Sequence, residues 1–283
     1  MTFIVLFLTT LTFAGRLGRI AVASNGKIKK GHLRRRKSML RILTILTIAV
    51  TVSVAGQAYA IDGTQLLAQI DKNLSPESYE SYRKIINIEP NGSKKEYTYF
   101  TAKKGKDKIV GLFLSPASDK GRSTLRLGDN MWLYIPNVGK PIRITSLQSV
   151  VGGVFNNADI LALDYAVEYD VEKVDSSQNQ HLMFLKAKTK TVAYDRLKMW
   201  VDKGKLVPTK IECLTEANML IKTLYFKDIK DFGGGLVRPA VIETDSPLYK
   251  GYKSAMVFAK VKKREFKDEV FTLTYMPKAE SLR

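Results

Sequence analysis

From about residue 81 onward the chain alternates between apolar and polar residues. In Tyr165-Ala166-Val167-Glu168-Tyr169-Asp170-Val171 the odd positions are apolar and the even ones mostly polar, the period of a half-buried strand. Comparable runs cover 81–89, 94–103, 108–114, 122–127, 130–135, 141–145, 181–188, 192–202, 207–216, 219–229, 236–244, 254–265 and 270–275. Turn residues separate them: Pro90-Asn91-Gly92, Gly105-Lys106-Asp107, Gly128-Asp129, Asp202-Lys203-Gly204 and Gly233-Gly234-Gly235. Short strands joined by tight turns predict an antiparallel meander.

Two segments break the alternation. Residues 63–73 carry Leu66, Leu67 and Ile70 at helical spacing behind an N-cap at Asp62. Ser146–Leu163 carries Leu147, Val150, Val151, Val154 and Phe155, interrupted by Gly152-Gly153, and is predicted as a second helix. Two helices cannot cover both faces of so long a sheet. The economical solution is mainly β: a single strongly curved antiparallel sheet, an open, incomplete β-barrel, with the helices as plug or lid.

Several strands are apolar on both faces, as in Ile109, Val110, Leu112, Phe113 and Leu114, or Leu220, Ile221, Leu224, Tyr225 and Phe226. Either a further layer covers the second face, or the inner face lines an apolar cavity.

Residues 1–60 differ from the rest. Arg34-Arg35-Arg36-Lys37 precedes an apolar run from about 40 to 55 that ends in Ala58-Tyr59-Ala60, the plan of a secretory signal cleaved after about Ala60. Met39 is the expected true start, and 61–283 the exported domain; the alternative is a long leader whose basic region is 34–37. The expected location is therefore the periplasm. This changes the meaning of the charge. Of 46 basic residues ten fall in 1–60, where there is no acid, leaving 36 against 27 acids. The residual excess describes a solvated basic face or a surface for anionic lipid head groups, and nucleic acid is excluded as a partner.

Little in the chain suggests covalent chemistry, and it reads as a non-enzyme without cofactor or metal. The exported part holds one histidine, His181, expected at an exposed strand start, and there is no Ser-centred elbow motif. The single Cys213 lies in an apparent strand and is expected buried and inert. One Cys and one His cannot build a zinc set. Asp159 and Asp164 flank the end of the second predicted helix, where capping is a better account than paired acid–base work.

The chain from about Ser75 to Met276 resembles the outer-membrane lipoprotein-sorting proteins, the LolA-like periplasmic lipoprotein carrier superfamily. The resemblance is carried by Ser75-Pro76-Glu77-Ser78-Tyr79-Glu80, Lys106-Asp107-Lys108, Ser115-Pro116-Ala117, Lys120-Gly121-Arg122 and Gly128-Asp129-Asn130-Met131-Trp132-Leu133-Tyr134-Ile135-Pro136. It continues through Gly152-x-x-Phe155, Asp159, Asp164-Tyr165, Val192-Ala193-Tyr194-Asp195, Trp200-Val201-Asp202, Leu206-Val207-Pro208, Lys222-Thr223-Leu224 and Phe271-Thr272-Leu273. One departure is Asn157, where the family usually places an aromatic residue.

The resemblance implies an incomplete barrel closed by helices around a cavity for acyl chains. Carrying such a chain through water is opposed by roughly 0.8 kcal/mol per methylene, on the order of 12 kcal/mol for about sixteen carbons. A shelter removes most of that cost. Candidate cavity or lid residues are Phe113, Trp132, Tyr134, Val151, Gly152, Gly153, Phe155, Tyr165 and Trp200, with ordinary core packing as the alternative for the aromatics. Gly152-Gly153 reads either as the hinge of a lid or as a point of close packing. The expected partners are lipoprotein acyl chains or phospholipid, an inner-membrane transporter and an outer-membrane acceptor, and the chain is expected to be a monomer. Alternatives left open are an accessory subunit of an inner-membrane exporter and a ligand-free envelope domain.

Overall fold

A computed structural model describes residues 62–283. The leader, its cleavage point and Met39 lie outside the described residues. Helix α1 (Gly63–Leu74) starts as its sequence dictates: the Asp62 carboxylate accepts from the backbone N–H groups of Thr64 (3.0 Å) and Gln65 (3.2 Å), and Leu67 and Ile70 form its buried stripe. Such a cap is worth about 1 kcal/mol.

Thirteen strands follow: β1 (Ser78–Ile88), β2 (Lys94–Lys104), β3 (Lys108–Ser115), β4 (Ser123–Leu127), β5 (Asn130–Tyr134), β6 (Pro141–Ile144), β7 (Tyr169–Ser176), β8 (Gln180–Ala187), β9 (Arg196–Asp202), β10 (Val207–Leu214), β11 (Leu220–Asp231), β12 (Val237–Asp245) and β13 (Lys253–Lys263). They form one antiparallel sheet in the order β6-β5-β4-β3-β2-β1-β13-β12-β11-β10-β9-β8-β7. Two six- and seven-stranded meanders are thus joined in the middle by β1 and β13, with Tyr82 opposite Lys260. The edges are β6 and β7. They do not pair, so the sheet is open and not a closed barrel. Its curvature shows in the core: Met131 of β5 and Met183 of β8, near opposite ends of the order, belong to one buried cluster. At one end the two halves touch, Thr191 donating to the Asp129 carboxylate at 2.6 Å.

The segment joining the two edges crosses the inner face, and here the sequence expectation needs correcting. The predicted helix Ser146–Leu163 contains a single helical turn, α2 (Asn157–Ile160). Gly152 and Gly153 hold φ of +70° and +71°, a left-handed conformation no helix continues through. Asn157, wholly buried, ties the segment together instead, donating to the Thr145 carbonyl (2.8 Å) and accepting from the Val150 N–H (3.1 Å). The strand expected from Tyr165 opens as a second turn, α3 (Tyr165–Glu168), before β7 begins. Its first two N–H groups, of Tyr165 and Ala166, both donate to Asp71 at 2.8 Å, which overrides the alternation. β9 starts at Arg196, four residues later than the pattern predicted.

The outer face is partly covered. Residues 270–275, predicted as a strand, instead finish one 3-10 turn, Asp268–Phe271, and run to the start of another, Met276–Leu282. These bring Phe266, Val270, Phe271, Met276 and Leu282 onto Phe100, Val110, Leu112 and Leu125. In β3, then, the two-faced apolar pattern means two layers: Ile109 and Phe113 face inward, Val110 and Leu112 meet the C-terminal segment.

Candidate functional site

An irregular backbone buried against a sheet must find hydrogen-bond partners for its carbonyls. Here the strands supply them from side chains. Asn87 Nδ2 and Tyr97 OH both donate to the Val151 carbonyl at 2.9 Å, Lys222 donates to Val154, Arg83 to Ile160, and Arg126 Nη1 to Leu161 at 2.9 Å. Ser254 Oγ accepts the Val154 N–H at 3.0 Å. The crossover is therefore a plug held by polar tethers over an apolar floor.

Three ion pairs lock its second half. Lys222 and Asp159 meet at 2.8 Å, both nearly sealed from solvent; Tyr194 OH donates to the other Asp159 oxygen at 2.8 Å, and Asn156 Nδ2 to Tyr194 at 2.8 Å. Asp159 also completes a capping box with Asn156. Arg126 pairs with Glu168, and Lys103 with Asp164. Both aspartates flagged in the sequence are thus anchors, Asp159 in α2 and Asp164 just before α3. Asp71 links α1 to α3 through its two accepted N–H bonds. Burial outweighs those bonds and pushes its carboxyl up to about 7.

The plug leaves little room beneath it. An apolar chamber of about 70 Å³ lies between Leu163, Tyr169, Leu197, Cys213, Phe226 and Met256. A second of about 80 Å³ is walled by Arg83, Thr101, Arg238, Leu163 and Phe258. The two share Asp159, Ala162, Leu163 and Tyr165 as walls. A groove of about 750 Å³ opens at the surface between α1, α3 and the β11–β12 turn, and shares Asp71, Ser75 and Asp164 with the second chamber. Of these three connected spaces, only the groove reaches the few hundred Å³ typical of ligand pockets.

Of the residues singled out in the sequence, Phe113, Val151 and Phe155 lie in the inner core with Tyr165 packed against it. Gly153 approaches β1 and β13 so closely that a Cβ would fall 2.1 Å from Asn87 Oδ1, whereas Gly152 faces open space. Trp132 and Tyr134 are on the other face, against the C-terminal segment. Trp200 is half-buried, with the Lys210 ammonium 3.6 Å from its ring centroid. Cys213 is buried, and burial pushes its thiol well above the ordinary range. His181, expected exposed, is buried instead; its Nδ1 lies 2.8 Å from Ser176 Oγ, and desolvation lowers its pKa.

The buried charged groups were missed: the tethers Asp71, Arg83, Arg126 and Lys222, and Arg238, which donates to the Leu74 carbonyl at the end of α1. A signal existed. Lys222 shares parity with inward Leu224 and Phe226, and Arg238 with Ala240 and Ile242, so period-two counting puts these charges on the inner face.

The architecture defines the class: a LolA-like fold. A LolA superfamily protein from Nitrosomonas europaea superposes with a TM-score of 0.69 and 24% identity, over 76% of this chain and 100% of that one. A DUF1329 family protein from Desulfovibrio piger gives 0.65 and 21%, over 76% and 97%. An outer membrane lipoprotein-sorting protein domain from Vibrio parahaemolyticus gives 0.63 and 16%, over 76% and 97%. More narrowly, a family model described as "-like: Uncharacterized protein" matches residues 105–278, more than half of the chain, and the chain belongs to that family. No curated protein matches the sequence.

Proposed function

We propose that this protein is a periplasmic lipid carrier, a non-enzyme that takes acyl chains of lipoproteins or other lipids into its interior for passage towards the outer membrane. The observation that carries the reading is the plug. An apolar inner face is closed by an irregular segment fastened through side-chain hydrogen bonds, with residual chambers beneath it sharing walls with a surface groove. Chambers of 70 and 80 Å³ cannot hold a fatty tail. The described conformation is therefore the closed one, and loading requires the second half of the plug, residues 158–168, to move away from Cys213, Phe226 and Met256. The fold supports the same reading, as does the apolar run with its small-x-small end at 58–60.

The single cysteine makes this testable. Donor vesicles of phosphatidylglycerol carrying a pyrene-labelled phospholipid should lose label to unlabelled acceptor vesicles faster when the protein is present. Alkylating Cys213 with a bulky maleimide in mild urea, followed by refolding, should fill the apolar chamber and stop transfer. A Cys213→Ala variant given the same treatment should keep it. Transfer no faster than in buffer would end the carrier reading.

A further inference from the structure

The 80 Å³ chamber holds an imbalance the plug does not explain. Arg83 and Arg238, both buried, enter it from β1 and β12, and their guanidiniums lie over the same ring, Phe258, at 5.4 Å and 4.4 Å from its centroid. Neither forms an ion pair with a carboxylate among the described residues. Their hydrogen bonds are to carbonyls only, Arg83 to Ile160, and Arg238 to Leu74 and Pro239. Arg83 Nε is sealed from solvent without a partner, and so is the hydroxyl of Thr101 in the same wall.

Asp71, Asp159 and Asp164 also line the chamber, but they are bonded to other groups, and two buried like charges without a bonded counter-charge are costly. Burial, with Arg83 nearby, lowers the Arg238 pKa to about 10. The other buried cations of the plug are spoken for: Lys222 by Asp159, Lys103 by Asp164, Arg126 by Glu168. Planar guanidiniums with spare N–H groups, beside a free hydroxyl donor, match an oxyanion.

We infer that Arg83, Arg238 and Thr101 form an oxyanion subsite, and that the carrier's ligand is an amphiphile whose carboxylate or phosphate head sits there with its tail in the neighbouring chamber beside Cys213, widened once the plug has moved. The order of the spaces fits such a molecule. The groove adjoins the arginine chamber, which adjoins the apolar one, so the head stays nearer the surface than the tail. The inference rests on the carrier reading and narrows it from lipids in general to anionic ones.

Equilibrium binding to the purified protein, followed by tryptophan fluorescence, should compare a sixteen-carbon fatty acid, its methyl ester, a monoalkyl phosphate of equal length and inorganic phosphate. The two anionic amphiphiles should bind at least about tenfold tighter than the ester, the factor one charge-assisted hydrogen bond supplies. Arg238→Gln should bring the fatty acid down to the ester's affinity while ester binding, which reports an intact fold, stays put; Arg238→Lys should recover part of the difference. Equal binding of acid and ester to the unaltered protein would overturn the subsite and leave the carrier reading standing. Binding of none of the amphiphiles would remove the carrier reading as well. Inorganic phosphate binding as tightly as the alkyl phosphate would mean a site for a free anion, and would overturn the assignment to a lipid head.

Discussion

Charged side chains on the inner face set much of this protein's behaviour. Lys222 and Asp159 are stable only as a pair, because removing one strands the other in a low-dielectric interior. Lys222→Met should cost about 3–5 kcal/mol in urea unfolding. Adding Asp159→Asn should return a good part of it, since Asn keeps an acceptor for Tyr194 without a charge; an equal loss in both variants would mean the pair contributes only shape. Asp71 behaves differently. Its carboxyl moves from 3.8 to about 7 on folding, so the folded protein holds that proton more tightly than the unfolded chain. Its contribution is full below about pH 4 and is lost as the pH rises through about 7, up to about 4 kcal/mol for a shift of this size. Stability measured from pH 4 to 8 should therefore fall more steeply with rising pH for the native protein than for Asp71→Asn. Parallel profiles would show that Asp71 is ionised throughout. None of these roles was legible from residue type alone. Strand parity was available to place Lys222 and Arg238 inward but was not applied to them, and nothing in the sequence said which carbonyl each would meet.

Individual elements divide by how local their determinants are. α1 was readable to within a residue because its cap, its stripe and its end are encoded in a dozen consecutive positions. The hairpin strands were readable for the same reason. The plug was not, since its shape is decided by partners more than sixty residues away, Asn87, Lys222 and Ser254 among them. Its two glycines separate packing from simple conformational freedom. Gly153→Ala must displace Asn87 as well as hold a positive φ, and should lower the urea midpoint by an amount equivalent to about 1–3 kcal/mol. Gly152→Ala meets nothing and should cost about 1 kcal/mol, from φ alone. Similar losses at both sites would refute the close approach of Gly153. His181 was misjudged for a related reason: the polar turn before it suggested exposure, but on β8 it shares parity with inward Met183 and Leu185.

For the molecule as a whole, the fold class followed from periodicity: many short alternating strands, few helices, and apolar residues in excess of what one wet sheet needs. Two things did not follow. The count of layers was ambiguous, because a second apolar face on β3 could mean a cavity or a cover, and it means a cover built by Phe266–Leu282. The order of strands was also hidden, since nothing local says that β1 chooses β13. Ending the chain at Asp245 should remove both that pairing and the outer cover, and should abolish cooperative unfolding by circular dichroism. A sharp transition in the shortened chain would show that the two meanders stand independently.

The β1–β13 seam also sets a schedule. The first strand cannot acquire its second neighbour until the last has been synthesised, some 180 residues later by the Tyr82–Lys260 pairing. Until then the growing chain holds two unfinished halves, neither able to seal its inner face. A nascent polypeptide of this design stays loose for almost the whole of translation.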